Sequence, residues 1–398
     1  MSSHYKKSIG FLNYTDNSKH YICFFVAKSK PFSDFWGIIK PSEVNSRRKK
    51  KKPSFFKKLI IIVVVGSTVF IGLKVYNLYK GIKQPNVNLN TDKPAYIYIP
   101  TGAGYKDVIN ILYTNNLIVN RSSFEWVAEK KNYANNVKPG KYKISPNLSN
   151  NALINLLRSG RQESVKLVFN KIRTKERFAG IIAKQIEVDS ASLVKKLYDK
   201  KYLKKYNKSV ETAMALFIPN TYEFYWNTGI EGFMERMFVE YERFWTNKRL
   251  KKAKNLNMLP DEVITLASIV EEETIKNDEK PLVAGVYINR IKKRMRLQAD
   301  PTVRFAVGDF EIKRILNKHL GVDSPYNTYK YAGLPPGPIC IPSISSIDAV
   351  LNYKKHSYLY FCAKDDFSGY HAFAKTLRQH NQNAEKYRKA LNRNRIYR

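Results

Sequence analysis

The chain has 398 residues, room for two or three domains with full-sized cores, and a 43% hydrophobic content that argues against disorder. Its 70 Lys and Arg against 33 Asp and Glu give a formal charge of +37, yet the cations are spread among Asn, Ile and Tyr along the whole length. No basic recognition helix stands out, so a nucleic-acid role ranks last and the diffuse field suits polyanions in general.

Residues 1–46 contain one short apolar run, Tyr21 to Val26, and no assignable element. Residues 1–54 read as a basic tail that ends in Arg47-Arg48-Lys49-Lys50-Lys51-Lys52 and is followed by Lys57-Lys58. Leu59 to Leu73 then runs fifteen residues without a charge. That run alone spans only about 22 Å of helix against a hydrocarbon core of about 30 Å. Phe55, Phe56 and Val75 to Tyr79 lengthen it, which predicts a transmembrane helix over 55–79. Eight basic residues before the run, against Lys74 and Lys80 after it, place the N-terminus in the cytoplasm and the remainder outside. A cleaved signal peptide is disfavoured, because no alanine occurs between Ala27 and Ala95 to supply a cleavage site. A buried core helix is disfavoured by the lack of a polar face.

Residues 80–94 read as a linker, with the polar, two-proline stretch Gln84 to Pro94 as a spacer. A small α+β module is expected over 95–164. Ala95 to Ile99 and Lys141 to Ile144 alternate like strands, while Tyr105 to Leu112, Ser122 to Lys130 and Asn150 to Leu157 have helical spacing, the last stopped by Gly160. Residues 165–398 read as a larger mixed α+β domain without internal repeats.

The six histidines include no HExxH, and no GxxxxGK, GxGxxG or GxSxG is present, so no metal or cofactor is expected. The most informative stretch is LASIVEEET, 266–274. Pro260-Asp261 reads as a helix start with Asp261 as cap, and Val263, Leu266, Ile269 and Val270 form an apolar stripe behind it. At 100° per residue Glu273 lies about 20° from Leu266, whereas Glu271 and Glu272 are more than roughly 100° away on the expected wetter side. A carboxyl on the apolar side loses water, and two neighbouring carboxylates push its pKa further toward that of a general acid. A frayed helix end with Glu273 in solvent is the competing reading.

Asp300-Pro301 reads as a capped helix start, which leaves Asp300 ionised and a poor proton donor. The proline-rich loop Pro325 to Pro338 reads equally as a sugar-groove wall or an ordinary turn. His371, in Gly369-Tyr370-His371-Ala372-Phe373, is a lone histidine on a probable strand and reads as structural. Cys23, Cys340 and Cys362 make no CxxC pair; a Cys340–Cys362 disulfide requires an oxidising compartment, and buried free thiols are the preferred reading.

In order, LASIVEEET, AGVYINRIKKRMRLQADPTVRFAVG, YNTYKYAGLPPGPICIPS, YLYFCAKDDFSGYHAF and RQHN resemble the endolytic murein transglycosylase, or YceG-like, family over roughly residues 90 to 390. The resemblance implies a bacterial inner-membrane protein with one N-terminal anchor, a LysM-like module and an extracytoplasmic (periplasmic) catalytic domain. Its Glu-x-Glu-Thr motif maps onto Glu271 to Thr274 and selects Glu273, the residue chosen by helical phase. It also places Ile218 to Phe224 opposite the catalytic helix, with Asn220 where the family more often has Asp.

The activity implied is endolytic cleavage of the β-1,4 bond between N-acetylmuramic acid and N-acetylglucosamine, leaving 1,6-anhydro-muramyl ends and terminating nascent strands. Glycan strands and the inner membrane are the expected partners, with peptidoglycan synthases as further candidates. Gln298, Asn327 and Thr328 are expected to bond the sugars and Tyr222 to stack on them. The alternatives are a hydrolytic muramidase with Asp300 or Glu223 as base, and a non-catalytic membrane-tethered wall-binding protein.

Overall fold

A computed structural model describes residues 55–89, 91–312 and 314–394; the expected tail 1–54 lies outside them. The fold is mixed α+β. One helix among the described residues, α1 (Phe55–Lys83), is long and apolar enough to cross a membrane, and none of its residues is buried against protein.

The first of two hydrophobic cores among the described residues is built on an antiparallel pair, β1 (Ala95–Ile99) and β2 (Gly140–Ile144). Strict alternation in AYIYI turns Ile97 and Ile99 inward and Tyr96 and Tyr98 outward. α2 (Tyr105–Thr114) packs on β1 and α4 (Asn150–Ser159) on β2, with α3 (Arg121–Lys130) against α4. Local chemistry fixes their ends. The Asn120 and Ser149 side chains accept backbone N–H bonds from Ser123 and Ala152, and Gly160 takes the left-handed turn (φ 69°) that stops α4.

The expected spacer at 80–94 is corrected at its start. α1 runs on to Lys83, Asn86 and Val87 are buried, and Pro85 and Val87 pair with Ser149 and Ile118. The fully buried Asn150 explains this: its Nδ2 donates to Gly81 O (2.8 Å) and Ser123 Oγ (3.0 Å), and its Oδ1 accepts from Asn86 Nδ2 (2.6 Å). A segment with its polar groups satisfied inside the fold is part of the fold, whatever its proline content.

The second core begins with β3 (Ser164–Val168), which pairs antiparallel with β4 (Thr221–Tyr225), Leu167 opposite Tyr222. Between and after these strands come α5 (Lys175–Ala183), α6 (Ser190–Tyr198), α7 (Lys200–Leu203), α8 (Ile230–Phe244) and α9 (Asn247–Asn255). The centre is α10 (Pro260–Glu273), packed against α11 (Lys280–Lys292), α12 (Asp300–Val307) and, past α13 (Asn317–Leu320), α14 (Ile344–Leu351). A last hairpin, β5 (Tyr360–Ala363) and β6 (His371–Ala374), is covered by α15 (Leu377–Arg393).

α10 departs from the expected amphipathic surface helix. Every residue from Val263 to Val270 is buried, so no wet side exists there. The buried Thr265 and Ser268 hydroxyls donate to the carbonyls of Asp261 and Thr265, and Ser268 Oγ accepts from Ile339 N–H. Nor is Asp261 the cap: Leu259 holds that position, Glu262 accepts the Leu259 N–H, and Asp261 binds Lys208 Nζ (2.6 Å) and Tyr241 Oη (2.8 Å).

Candidate active site

α10 ends on three consecutive carboxyl groups, and packing gives each a different state. Glu271 binds Lys280 Nζ at 3.1 Å and accepts the Ser343 and Ser346 hydroxyls; burial raises its pKa, but these bonds outweigh it and hold it below the ordinary value. Glu272 takes a two-pronged bond from Arg173, at 2.7 and 3.3 Å. Both are therefore paired with cations inside the fold, a correction to the wet side expected for them. Glu273 instead receives the neutral hydroxyl of Tyr287, 2% exposed, at 2.5 Å.

Loss of water pushes the Glu273 carboxyl from the ordinary 4.5 up to about 7. The Tyr287 bond opposes this, Asp300 adds to it, Arg304 opposes it and Glu272 adds to it. Tyr287 is itself raised well above its usual range by burial, so it stays a donor at neutral pH. Burial thus moves the Glu273 carboxyl toward neutral pH, the range in which a general acid works.

The Glu273 side chain opens into a cavity of about 370 Å³. Its walls include Tyr287 and Arg290 of α11, Gln298 and Asp300 around the start of α12, Tyr329, and His371 of β6. Arg290 ties the walls together, donating from Nε to Leu359 O (2.6 Å) and from Nη1 to Leu297 O (2.7 Å) and standing 5.1 Å over the Tyr360 ring. Gln298 reaches the cavity from a left-handed backbone (φ 52°), a strained conformation for a side-chain-bearing residue, with its N–H bonded to Thr328 O at 3.1 Å.

Of the five residues singled out in the sequence, Glu273 and Gln298 share this cavity. The other three are corrected in position. Asn327, fully buried, donates to the Leu320 and Val322 carbonyls and accepts the Tyr329 N–H. Thr328, 2% exposed, accepts the Ala299 N–H and bonds the Thr302 hydroxyl. Tyr222 stacks on Phe169 in the core and donates to Ile218 O. None of them lines the cavity, and neither does any other residue of β4. Their hydrogen-bonding capacity is consumed by the fold.

Asp300 is also repositioned. Ala299 is the cap of α12, and Asp300, the first residue of that helix, accepts the Tyr329 hydroxyl at 2.6 Å in the cavity wall. The Asp-Pro pattern concealed this role; Tyr287 and Arg290 carried no sequence signal, because their relation to Glu273 exists only once α11 packs on α10. Cys362 lies in the cavity wall and Cys340 in the core, both as free thiols.

A carboxyl raised toward neutral pH in a polar cleft walled by phenols, amide and imidazole is an arrangement suited to general acid–base chemistry on a polyhydroxylated substrate. The chain belongs to the YceG-like family, whose sequence model matches residues 97–386. It is 30% identical over 339 residues to the endolytic murein transglycosylase of Bacillus subtilis (strain 168), covering 81% of this chain and 91% of that protein. An endolytic murein transglycosylase of Streptococcus pneumoniae is 26% identical over 332 residues, 76% of this chain and 60% of that longer protein. A crystal structure of a yceG-like protein from Listeria monocytogenes superposes with a TM-score of 0.50 at 30% identity, covering 73% of this chain and 99% of that one.

Proposed function

We propose that this protein is an endolytic lytic transglycosylase of peptidoglycan, cutting the β-1,4 bond from N-acetylmuramic acid to N-acetylglucosamine within glycan strands. The observation that carries the chemistry is the Glu273 carboxyl, poised at about 7 in a cavity it shares with Gln298, Asp300 and Tyr329. Neutral Glu273 protonates the leaving oxygen as positive charge develops at C1. In the one-residue form of this reading its carboxylate then takes the proton of the muramyl C6 hydroxyl, which attacks C1 in the same sugar. No water is consumed, and the product ends in a 1,6-anhydro ring. Gln298 contacts the sugar; Asn327 and Thr328 serve by shaping the backbone that carries Tyr329 and Gln298.

The layout proposed with it has residues 1–54 in the cytoplasm, 55–79 across the inner membrane, a LysM-like glycan-holding module at 95–164 and the catalytic domain at 165–398. In that arrangement the enzyme terminates nascent strands beside a peptidoglycan synthase.

Hydrolysis is the second reading, favoured by one observation: the Asp300 carboxyl lines the same cavity as Glu273. Glu223, the other sequence candidate for a base, is exposed on β4 and lies outside that cavity. Mass spectrometry of the ends released from intact sacculi separates the two readings. Anhydro ends are expected; ends heavier by one water would make the enzyme a muramidase, and release of no fragments would make it a wall-binding protein.

A further inference from the structure

Glu279 is 3% exposed and takes no part in the scheme above, yet its carboxylate holds one residue of the cavity wall from two sides. Its Oε1 accepts the His371 backbone N–H at 2.7 Å, and its Oε2 lies 2.7 Å from His371 Nδ1. Thr274, the residue after Glu273, donates its hydroxyl to the same Oε2 at 3.1 Å, so the end of α10 and the start of β6 share one anchor.

A carboxylate facing Nδ1 selects the tautomer with its proton there, which leaves Nε2 as an acceptor in the neutral ring. Among the described residues no protein group bonds Nε2. The side chain keeps 16% exposure in the cavity that Glu273 enters. Phe361 meets the ring edge-on at 5.1 Å and 81°, fixing its plane. Glu273 Oε1 is meanwhile held by Tyr287, so a one-residue scheme asks a single oxygen to perform both proton transfers.

We propose that His371, oriented by Glu279, is the base of the reaction, and that Glu273 acts only as the acid. The proposal rests on the glycan-cleaving reading and divides its two proton transfers between two groups. A lone pair on O6 forms the O6–C1 bond, and the C1–O4 pair leaves with the N-acetylglucosamine oxygen, which takes the Glu273 proton. The C6 hydroxyl proton goes to Nε2, and the resulting imidazolium faces the buried Glu279 carboxylate, as in other carboxylate-oriented histidine bases. The imidazolium proton then returns through solvent to the Glu273 carboxylate, and no net water is consumed.

The test uses the full chain in detergent with soluble, uncrosslinked glycan strands. His371→Gln should lower kcat by at least about 100-fold, the usual contribution of a positioned base, with KM and melting temperature near wild type. His371→Gly should regain activity in proportion to added imidazole, a rescue that a purely structural histidine would not give. Glu273→Gln should stay inactive with imidazole. Wild-type kcat in His371→Gln, or a folded His371→Gly that imidazole does not revive, overturns the proposal; where His371→Gly does not fold, His371→Gln alone decides. Activity in Glu273→Gln would instead remove the acid from the parent reading, whereas an inactive Glu273→Gln beside a fully active His371→Gln would remove only the base assigned here.

Discussion

In the proposed reaction Tyr287 decides how much of the Glu273 population is ready to donate. Burial alone raises that carboxyl, and the phenol holds it back by stabilising the charged form. An acid must be protonated to work, so activity falls as pH rises through its pKa. In Tyr287→Phe the opposing bond is gone, the Glu273 pKa climbs, and the alkaline limb of the pH–rate profile should move up by about one unit, the worth of one hydrogen bond to a charged group. A limb that stays in place would mean that Tyr287 does not govern the acid. The alignment of Glu273 with Leu266 along its helix could be read from the sequence because helical phase is a local property. The fates of Glu271 and Glu272 could not, since Arg173, Lys280 and Ser343 come from distant parts of the chain.

At the scale of elements the same division holds. β1, β2 and α2 to α4 could be read within a residue or two because alternation, helical spacing and the Gly160 stop are written locally. The exit of α1 could not. Its polar, proline-bearing sequence describes a spacer, and only the Asn150 and Asn86 amides, brought together across 64 positions, turn it into packed structure. Asn150→Ala should leave Gly81 O and the Asn86 amide without this partner, at a local cost of about 1–3 kcal/mol. Trypsin should then cut faster after Lys83 while the second core keeps its resistance; unchanged cutting would show that Asn150 does not hold the segment. α10 illustrates the converse case: its apolar stripe was visible, but burial on all sides became visible only with α11, α12 and α14 around it.

At the scale of the molecule, the acid carries a cost to stability that follows pH. Glu273 binds its proton more tightly folded, at about 7, than its ordinary 4.5, so the stability it contributes is full below about 4.5 and is lost as pH rises through 7. Glu273→Gln stays neutral throughout. Its stability relative to wild type should therefore grow between pH 4.5 and 7 and level off at a gain of up to about 3 kcal/mol, read from thermal unfolding across that range. A difference independent of pH would contradict the assigned burial. The central claim concerns what that burial does for catalysis, and turnover of glycan strands by purified Glu273→Gln against wild type tests it most directly. Cleavage should be abolished in a variant whose melting temperature at neutral pH equals or exceeds that of wild type; a folded Glu273→Gln that still releases fragments at the wild-type rate would contradict the account.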